Sequence, residues 1–344
     1  MNNGSANFSF CVPPRRLFRA IFVCILLVYA CFVPAKSAKW DSVDELLTAV
    51  VGVQATVPAQ ARTAATLGQE RFGSGVVIDA SGLVVTIGYL FLEAERVEIA
   101  LPNGELVPAQ MLAYDYDSGF GLLRTSADLG IRPMELGTSS ELAAGDKMMI
   151  ASYGGAQTLA PAIFTGAREF AGYWEYLLED ALYIVPPYPR YGGAALISIE
   201  GKLLGIGSIA VGDAIEGEQS MPGNMFVPID QLKSILGDLL TEGRSSAPRK
   251  PWLGIYTEEF QGRLLVRRVA EDGPAMTAGI EPGDIITGAG GEAVFSMSDF
   301  YRKIWAQGEP GDAISMTILK GTEVKEVQVR SSDRYQWLQL KHKQ

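Results

Sequence analysis

The chain has 344 residues, 48% of them hydrophobic and 20% charged, and a formal net charge of −10. That length accommodates about two ordinary domains, and the composition excludes disorder on a large scale. The acidic balance, without a long Lys/Arg cluster, argues against nucleic acid as a partner.

Arg15, Arg16 and Arg19 lead into an apolar run from Ala20 to Ala35, and no acidic residue precedes Asp41. The run falls short of the roughly 20 residues that a spanning helix needs, and small residues follow it, so residues 1–38 read as a signal peptide cut after Ala35 or Ser37. An uncleaved N-terminal anchor is the second reading, and only that one implies a membrane partner. Cys11, Cys24 and Cys31 are all the cysteines of the chain and all lie in this leader. The rest of the chain therefore has no thiol for a disulfide, a metal or nucleophilic attack. Its one histidine is His342, so neither a Ser-His pair nor a zinc site is expected in the folded core. No EF-hand spacing occurs, and the expectation is no cofactor and no metal.

Beyond the leader, Ser42 and Glu45 have the spacing of a capping box and predict a short helix over 43–49. Trp40, Leu46 and Leu47 nearby suit either packing between subunits or packing of the helix on its own core. The pattern then turns to short apolar or alternating runs: "AVVGVQATV", "GSGVVID", "LVVTIG", "RVEIAL", "GLLRT", "KMMIAS", "ALYIVP", "AALISIEGKLLGIGSIAV" and "NMFVP" all read as strands. Turn signals at 79–82 and 102–104 separate them, which suggests a closed or sandwiched β-architecture. A helix from Asp230 to about Leu240 closes this part, and the polar stretch around 243–250 reads as a linker. Four strand patterns follow ("WLGIYT", "GRLLVRRV", "AISMTIL", "EVKEVQV") with "GDIITGAG" between them, and helices are expected near 274–278 and 298–306.

Two sets of motifs carry a family resemblance. "WLGI" at 252–255 and "GPAMTAGIEPGDIITGAGGEAV" at 273–294 resemble the PDZ domain of HtrA proteases. "FGSGVVIDASGLVVTIGYL" at 72–90, "AYDYDSGFGLLR" at 113–124 and "YPRYGGAALISIEGKLLGI" at 188–206 resemble the HtrA protease domain. The resemblance implies a mainly β chain: a trypsin-like double β-barrel domain over 39–242, the linker 243–250, a mixed α/β PDZ domain over 251–332, and a C-terminal tail, 333–344. It also implies an extracytoplasmic place in a bacterial envelope.

The chemistry departs from the family at each matched position. The family's histidine falls on Tyr89, its aspartate on Gly119 and its serine on Tyr191. A triad needs a nucleophile, a base near neutral pKa and a group that orients the base, and these three supply none of them. The residue two before the serine, which gives an oxyanion N–H in this fold, is Pro189, and proline has no N–H. The expected catalytic set is therefore empty. Tyr89 and Tyr191 read as rings plugging the former cleft, with Tyr153, Tyr188 or Tyr173 as neighbours; an aromatic ligand pocket is the alternative.

Trp252, Leu253, Gly254 and Ile255 are the expected peptide-binding residues, because successive N–H groups in a glycine-containing turn make an anion nest beside an edge strand. These readings combine into a pseudoprotease that binds proteins or peptide C-termini as an adaptor, sensor or holdase. One alternative is an endopeptidase with displaced chemistry, drawing on Ser118, Ser152 or Ser208 with Lys147 or Lys202. Another is a non-catalytic subunit, in a homotrimer or in a hetero-assembly with an active HtrA-type protease.

Overall fold

The computed structural model describes Met1 and residues 40–338 apart from Glu218. Apart from Met1, the leader at 1–38 lies outside the described residues. Helix α1 (Val43–Thr48) starts at Ser42, whose hydroxyl accepts the Glu45 N–H at 3.1 Å. Leu46 and Leu47 are buried in the core of the same chain, and the Trp40 indole N–H donates to the Gly201 carbonyl at 3.1 Å. The packing reading of these residues therefore holds within the chain.

Six strands, β1 (Val50–Thr56), β2 (Glu70–Val77), β3 (Leu83–Ile87), β4 (Arg96–Ala100), β5 (Leu106–Tyr114) and β6 (Phe120–Thr125), close a barrel in the order β1-β2-β3-β6-β5-β4. A four-residue helix α2 (Ala64–Leu67) interrupts the first connection. All five residues of β3 are buried, the signature of a strand covered on both faces. The second barrel contains β7 (Lys147–Ala151), β8 (Ala160–Gly172), β9 (Tyr176–Val185), β10 (Ala195–Ile197), β11 (Leu203–Ile215) and β12 (Met221–Pro228), and helix α3 (Ile229–Glu242) follows it.

The C-terminal part contains β13 (Ile255–Phe260), β14 (Arg263–Val269), α4 (Pro274–Thr277), β15 (Ile285–Ala289), β16 (Glu292–Ala293), α5 (Met297–Trp305), β17 (Ala313–Lys320) and β18 (Glu323–Arg330). Its sheet runs β13-β14-β15-β17-β18, and β16 pairs with β15. Helix α5 is capped by Ser296 and buries Met297, Phe300, Tyr301 and Ile304, one face at helical spacing. Each such side chain contributes about 1.5–3 kcal/mol on leaving water.

Three features bear on the site. β8 and β9 form a long hairpin whose tip is residues 173–175, held by pairing of Phe170 with Leu178, Ala171 with Leu177 and Gly172 with Tyr176. The polar linker is docked, since Lys250 pairs with Asp117 at 2.7 Å and Arg249 with Asp333 at 2.6 Å. The stretch read as a tail opens with a helix, α6 (Arg334–Trp337), which starts at Asp333.

Candidate functional site

The seam between the barrels holds the three positions singled out by the motifs. Tyr89 lies in the short turn after β3, and its hydroxyl crosses to the second barrel to donate to the Ser208 carbonyl at 2.8 Å. Burial, with Tyr191 alongside, pushes the Tyr89 phenol far above its ordinary range, so it keeps its proton. Gly119 sits at φ 83° in the turn before β6. A Cβ there would lie 3.3 Å from Ile87 Cδ1 and 3.5 Å from the Tyr176 hydroxyl.

The Tyr191 loop keeps a tight frame. Its carbonyl accepts the Ala194 N–H at 2.9 Å, and the Gly193 N–H donates to Gly207 at 2.9 Å. Gly193 has φ 74°, and an added Cβ would fall 1.9 Å from the Ser74 carbonyl oxygen, so only glycine fits. Pro189 is exposed at the rim of this loop.

Further bonds stitch the barrels together. The Ser74 N–H donates to Gly192 at 2.9 Å, the Tyr153 N–H to Ser74 Oγ at 3.0 Å, and the Tyr153 hydroxyl to Leu101 at 3.1 Å. The Tyr176 hydroxyl donates to the Ser118 carbonyl at 2.7 Å, next to Gly119. Tyr188 is buried inside the second barrel, its hydroxyl 2.7 Å from Ser152 Oγ and donating to Thr158 at 2.6 Å. Tyr173 is not a neighbour of this seam. It belongs to the hairpin tip, its ring meets Tyr256 at 6.4 Å, and its carbonyl accepts from Thr257. The aromatic stretch 170–183 accordingly packs in part on the PDZ side, through Ala171 and Leu177.

The alternative nucleophiles have other partners. Ser118 Oγ donates to Asp115 at 2.6 Å, and Ser152 is bonded to Tyr188. Burial holds the Asp115 carboxyl above its ordinary range while the Ser118 hydroxyl and N–H pull it down. Ser208 is buried below the Tyr89 contact, Lys147 is exposed at the start of β7, and Lys202 lies 3.8 Å from Glu135.

The second site is the turn 253–255. Gly254 at φ 76° lets the N–H groups of Leu253 and Ile255 converge. Both end on one carboxylate, that of Glu175: Leu253 N–H to Oε2 at 3.0 Å and Ile255 N–H to Oε1 at 2.8 Å. Trp252 points elsewhere, pairing its backbone with Ser332 and its ring with Trp337 at 4.5 Å. Glu175 is 1% exposed. Burial pushes its carboxyl up to about 7, against the pull of the Leu253, Ile255 and Gly254 N–H groups and of Arg334. Sequence reading missed this residue; its only signal was an acidic side chain inside the aromatic run "GYWEY".

Among known families, residues 73–206 match the trypsin-like peptidase domain and residues 251–330 the PDZ domain. Serine endoprotease DegS of Salmonella typhimurium is 23% identical over 267 residues, covering 72% of this chain and 73% of that protein. Protease Do-like 1, chloroplastic, of Arabidopsis thaliana is 26% identical over 281 residues, covering 75% of this chain and 62% of that protein. A solved variant of the HtrA-type protease AlgW with a tripeptide has the same fold, with a TM-score of 0.50 at 20% identity over 85% of this chain and 96% of that one. The chain thus carries a trypsin-like peptidase domain followed by one PDZ domain, in the order and fold of the HtrA-type proteases.

Proposed function

We propose that this protein binds proteins or peptide C-termini without hydrolysing them, as an adaptor, sensor or holdase outside the cytoplasm. The observation that supports the reading is the set of residues at the seam: by the motif resemblance, Tyr89, Gly119 and Tyr191 fall where a base, its orienting carboxylate and a nucleophile would be needed. Tyr89 is moreover committed to the Ser208 carbonyl and holds its proton. Pro189 adds an independent defect, since removing one oxyanion donor alone costs about 10²–10³ in rate. The PDZ domain supports the binding half of the reading, because its nest turn 253–255 adjoins an edge strand of the kind that takes a peptide. The location follows the basic, apolar leader and relatives described as probable periplasmic endoproteases.

The test is cleavage of casein by the purified chain over about pH 5 to pH 9, beside a Tyr191→Ser variant and an active HtrA-type protease. Neither form is expected to cleave while the active protease does. Hydrolysis by the parent chain, abolished by one substitution within it, would overturn the reading.

A further inference from the structure

The nest at 253–255 is already filled by the chain itself. The tip of the β8–β9 hairpin lies between β13 and α5. There the Thr257 N–H of β13 donates to the Tyr173 carbonyl at 3.1 Å. The Tyr301 hydroxyl of α5 donates to the Gly172 carbonyl at 2.7 Å and accepts the Glu175 N–H at 3.1 Å. The Glu175 carboxylate then takes the Leu253 and Ile255 N–H groups, one on each oxygen.

A main-chain bond to the edge strand combined with a carboxylate in the nest is the pattern by which strand addition captures a peptide end. Here a side-chain carboxylate stands in for a terminal one. Glu175 adopts φ 59°, the left-handed region that a non-glycine residue enters at some cost, and this backbone belongs to the turn that delivers its side chain.

The tip is also held from outside the groove. Arg334 of α6 donates to the Trp174 carbonyl at 2.8 Å and lies 3.8 Å over the Tyr116 ring. The Tyr116 hydroxyl donates to the Trp174 carbonyl at 2.8 Å and also to that of Glu175. Arg302 of α5 pairs with Glu169 on one strand of the hairpin and, at 3.4 Å, with Glu179 on the other.

We propose that Glu175 is an internal ligand of the PDZ carboxylate site, which keeps the groove shut to peptide C-termini until the hairpin tip withdraws. The proposal rests on the peptide-binding reading above and adds its regulation. A tethered competitor acts at high effective concentration. An incoming peptide meets only the open fraction of molecules, and its apparent affinity falls in proportion.

The experiment compares the purified parent chain with Glu175→Ala and Glu175→Gln. The probe is a fluorescent decapeptide pool, randomised over its last four positions, with either a free or an amidated C-terminus. Amide hydrogen exchange of the segment around 253–255 is read in parallel. Glu175→Ala is expected to bind the free-carboxylate pool about tenfold or more tightly than the parent. Amidation should abolish that gain, exchange at 253–255 should quicken, and Glu175→Gln should fall between the two. Equal binding by all three chains, with exchange at 253–255 unchanged, would overturn the proposal and leave the binding reading standing. Quickened exchange in Glu175→Ala with no peptide bound by any chain would instead overturn the binding reading, and its regulation with it. If alanine unfolds the chain, the isosteric Glu175→Gln decides by the same criteria.

Discussion

Two regions suited to handling a peptide, the seam between the barrels and the groove of the PDZ domain, have been filled from within by different means. In the seam, the proposed reading rests on residue types: Tyr89, Gly119, Tyr191 and Pro189 lack the groups that acyl transfer uses. In the groove nothing has been lost. Leu253, Gly254 and Ile255 retain their N–H groups, and those of Leu253 and Ile255 are satisfied by Glu175. A site altered by substitution takes several mutations to restore, whereas a site filled by occupancy is freed when the hairpin tip withdraws. The comparison predicts that the seam resists single repairs and the groove yields to one.

The largest effect is expected at the seam. The combined variant Tyr89→His, Gly119→Asp, Tyr191→Ser restores the residue types but leaves Pro189, so any hydrolysis it recovers should be about 10²–10³ below that of a fourth-step variant adding Pro189→Gly. Initial rates on a fluorogenic peptide check this. A three-residue variant as fast as the four-residue one would show that the 189 N–H has no place in the site. The Gly119→Asp step is sterically moderate, because the new Cβ would lie 3.3 Å from Ile87 Cδ1 and aspartate tolerates the left-handed region better than most residues.

The groove should respond to pH by a smaller factor. Glu175 titrates at about 7 in the closed groove and returns to the ordinary carboxylate range when the tip withdraws into water. A pKa raised in the closed state means the closed state holds the proton more tightly. Closure is therefore favoured in acid, and that preference is lost as the pH rises from about 4.5 through 7. The groups facing Glu175 are Arg334 from α6, Tyr116 from the turn after β5 and Tyr301 from α5, and none of these titrates in that window. Binding of the free-carboxylate peptide pool to the parent chain should strengthen roughly tenfold between about pH 5 and pH 8. Glu175→Gln is the control: its binding should be nearly flat. A parent profile identical to that of Glu175→Gln would sever the link between Glu175 and the groove.

The same contrast explains what the sequence disclosed. Both barrels and the PDZ fold were legible because their information is local: apolar runs of strand length, glycines at the turns, and the small-residue and Gly-Asp pattern at 273–284. The tyrosines, glycine and proline at 89, 191, 119 and 189 are equally visible without a structure, and their assignment to the family's catalytic positions rests on the motifs alone. Occupancy of the nest was not legible. Glu175 and Leu253 are brought together across 78 positions, and nothing in "GYWEY" distinguishes a carboxylate bound for a nest from one bound for solvent. β8 escaped for a related reason: in its outer half Phe170 packs on the barrel core while its neighbour Ala171 packs on the PDZ core, which blurs the alternation. The 333–338 segment was read as a tail because four helical residues carry no periodicity; it docks through Arg334 and Tyr335.

The smallest effect tests whether the seam is a plug held by its own bonds. Tyr89→Phe removes only the hydroxyl that donates to the Ser208 carbonyl, leaving the ring in place. A buried carbonyl deprived of its donor costs about 1–3 kcal/mol, the lower end applying if a water reaches it. With roughly 2–4 °C of Tm per kcal/mol for a body of 150–250 residues, the midpoint should drop by a few degrees in a thermal melt. No hydrolysis and no change in peptide binding should accompany the drop, because the phenol serves the contact between barrels and the groove is held elsewhere. A variant as stable as the parent would mean that the Tyr89 bond adds nothing to the seam, and that the bonds from Ser74, Tyr153 and Tyr176 suffice to hold the barrels together. Peptide binding that rose in Tyr89→Phe would break the comparison itself, since the seam and the groove would then be coupled through the Tyr176 contact with Ser118.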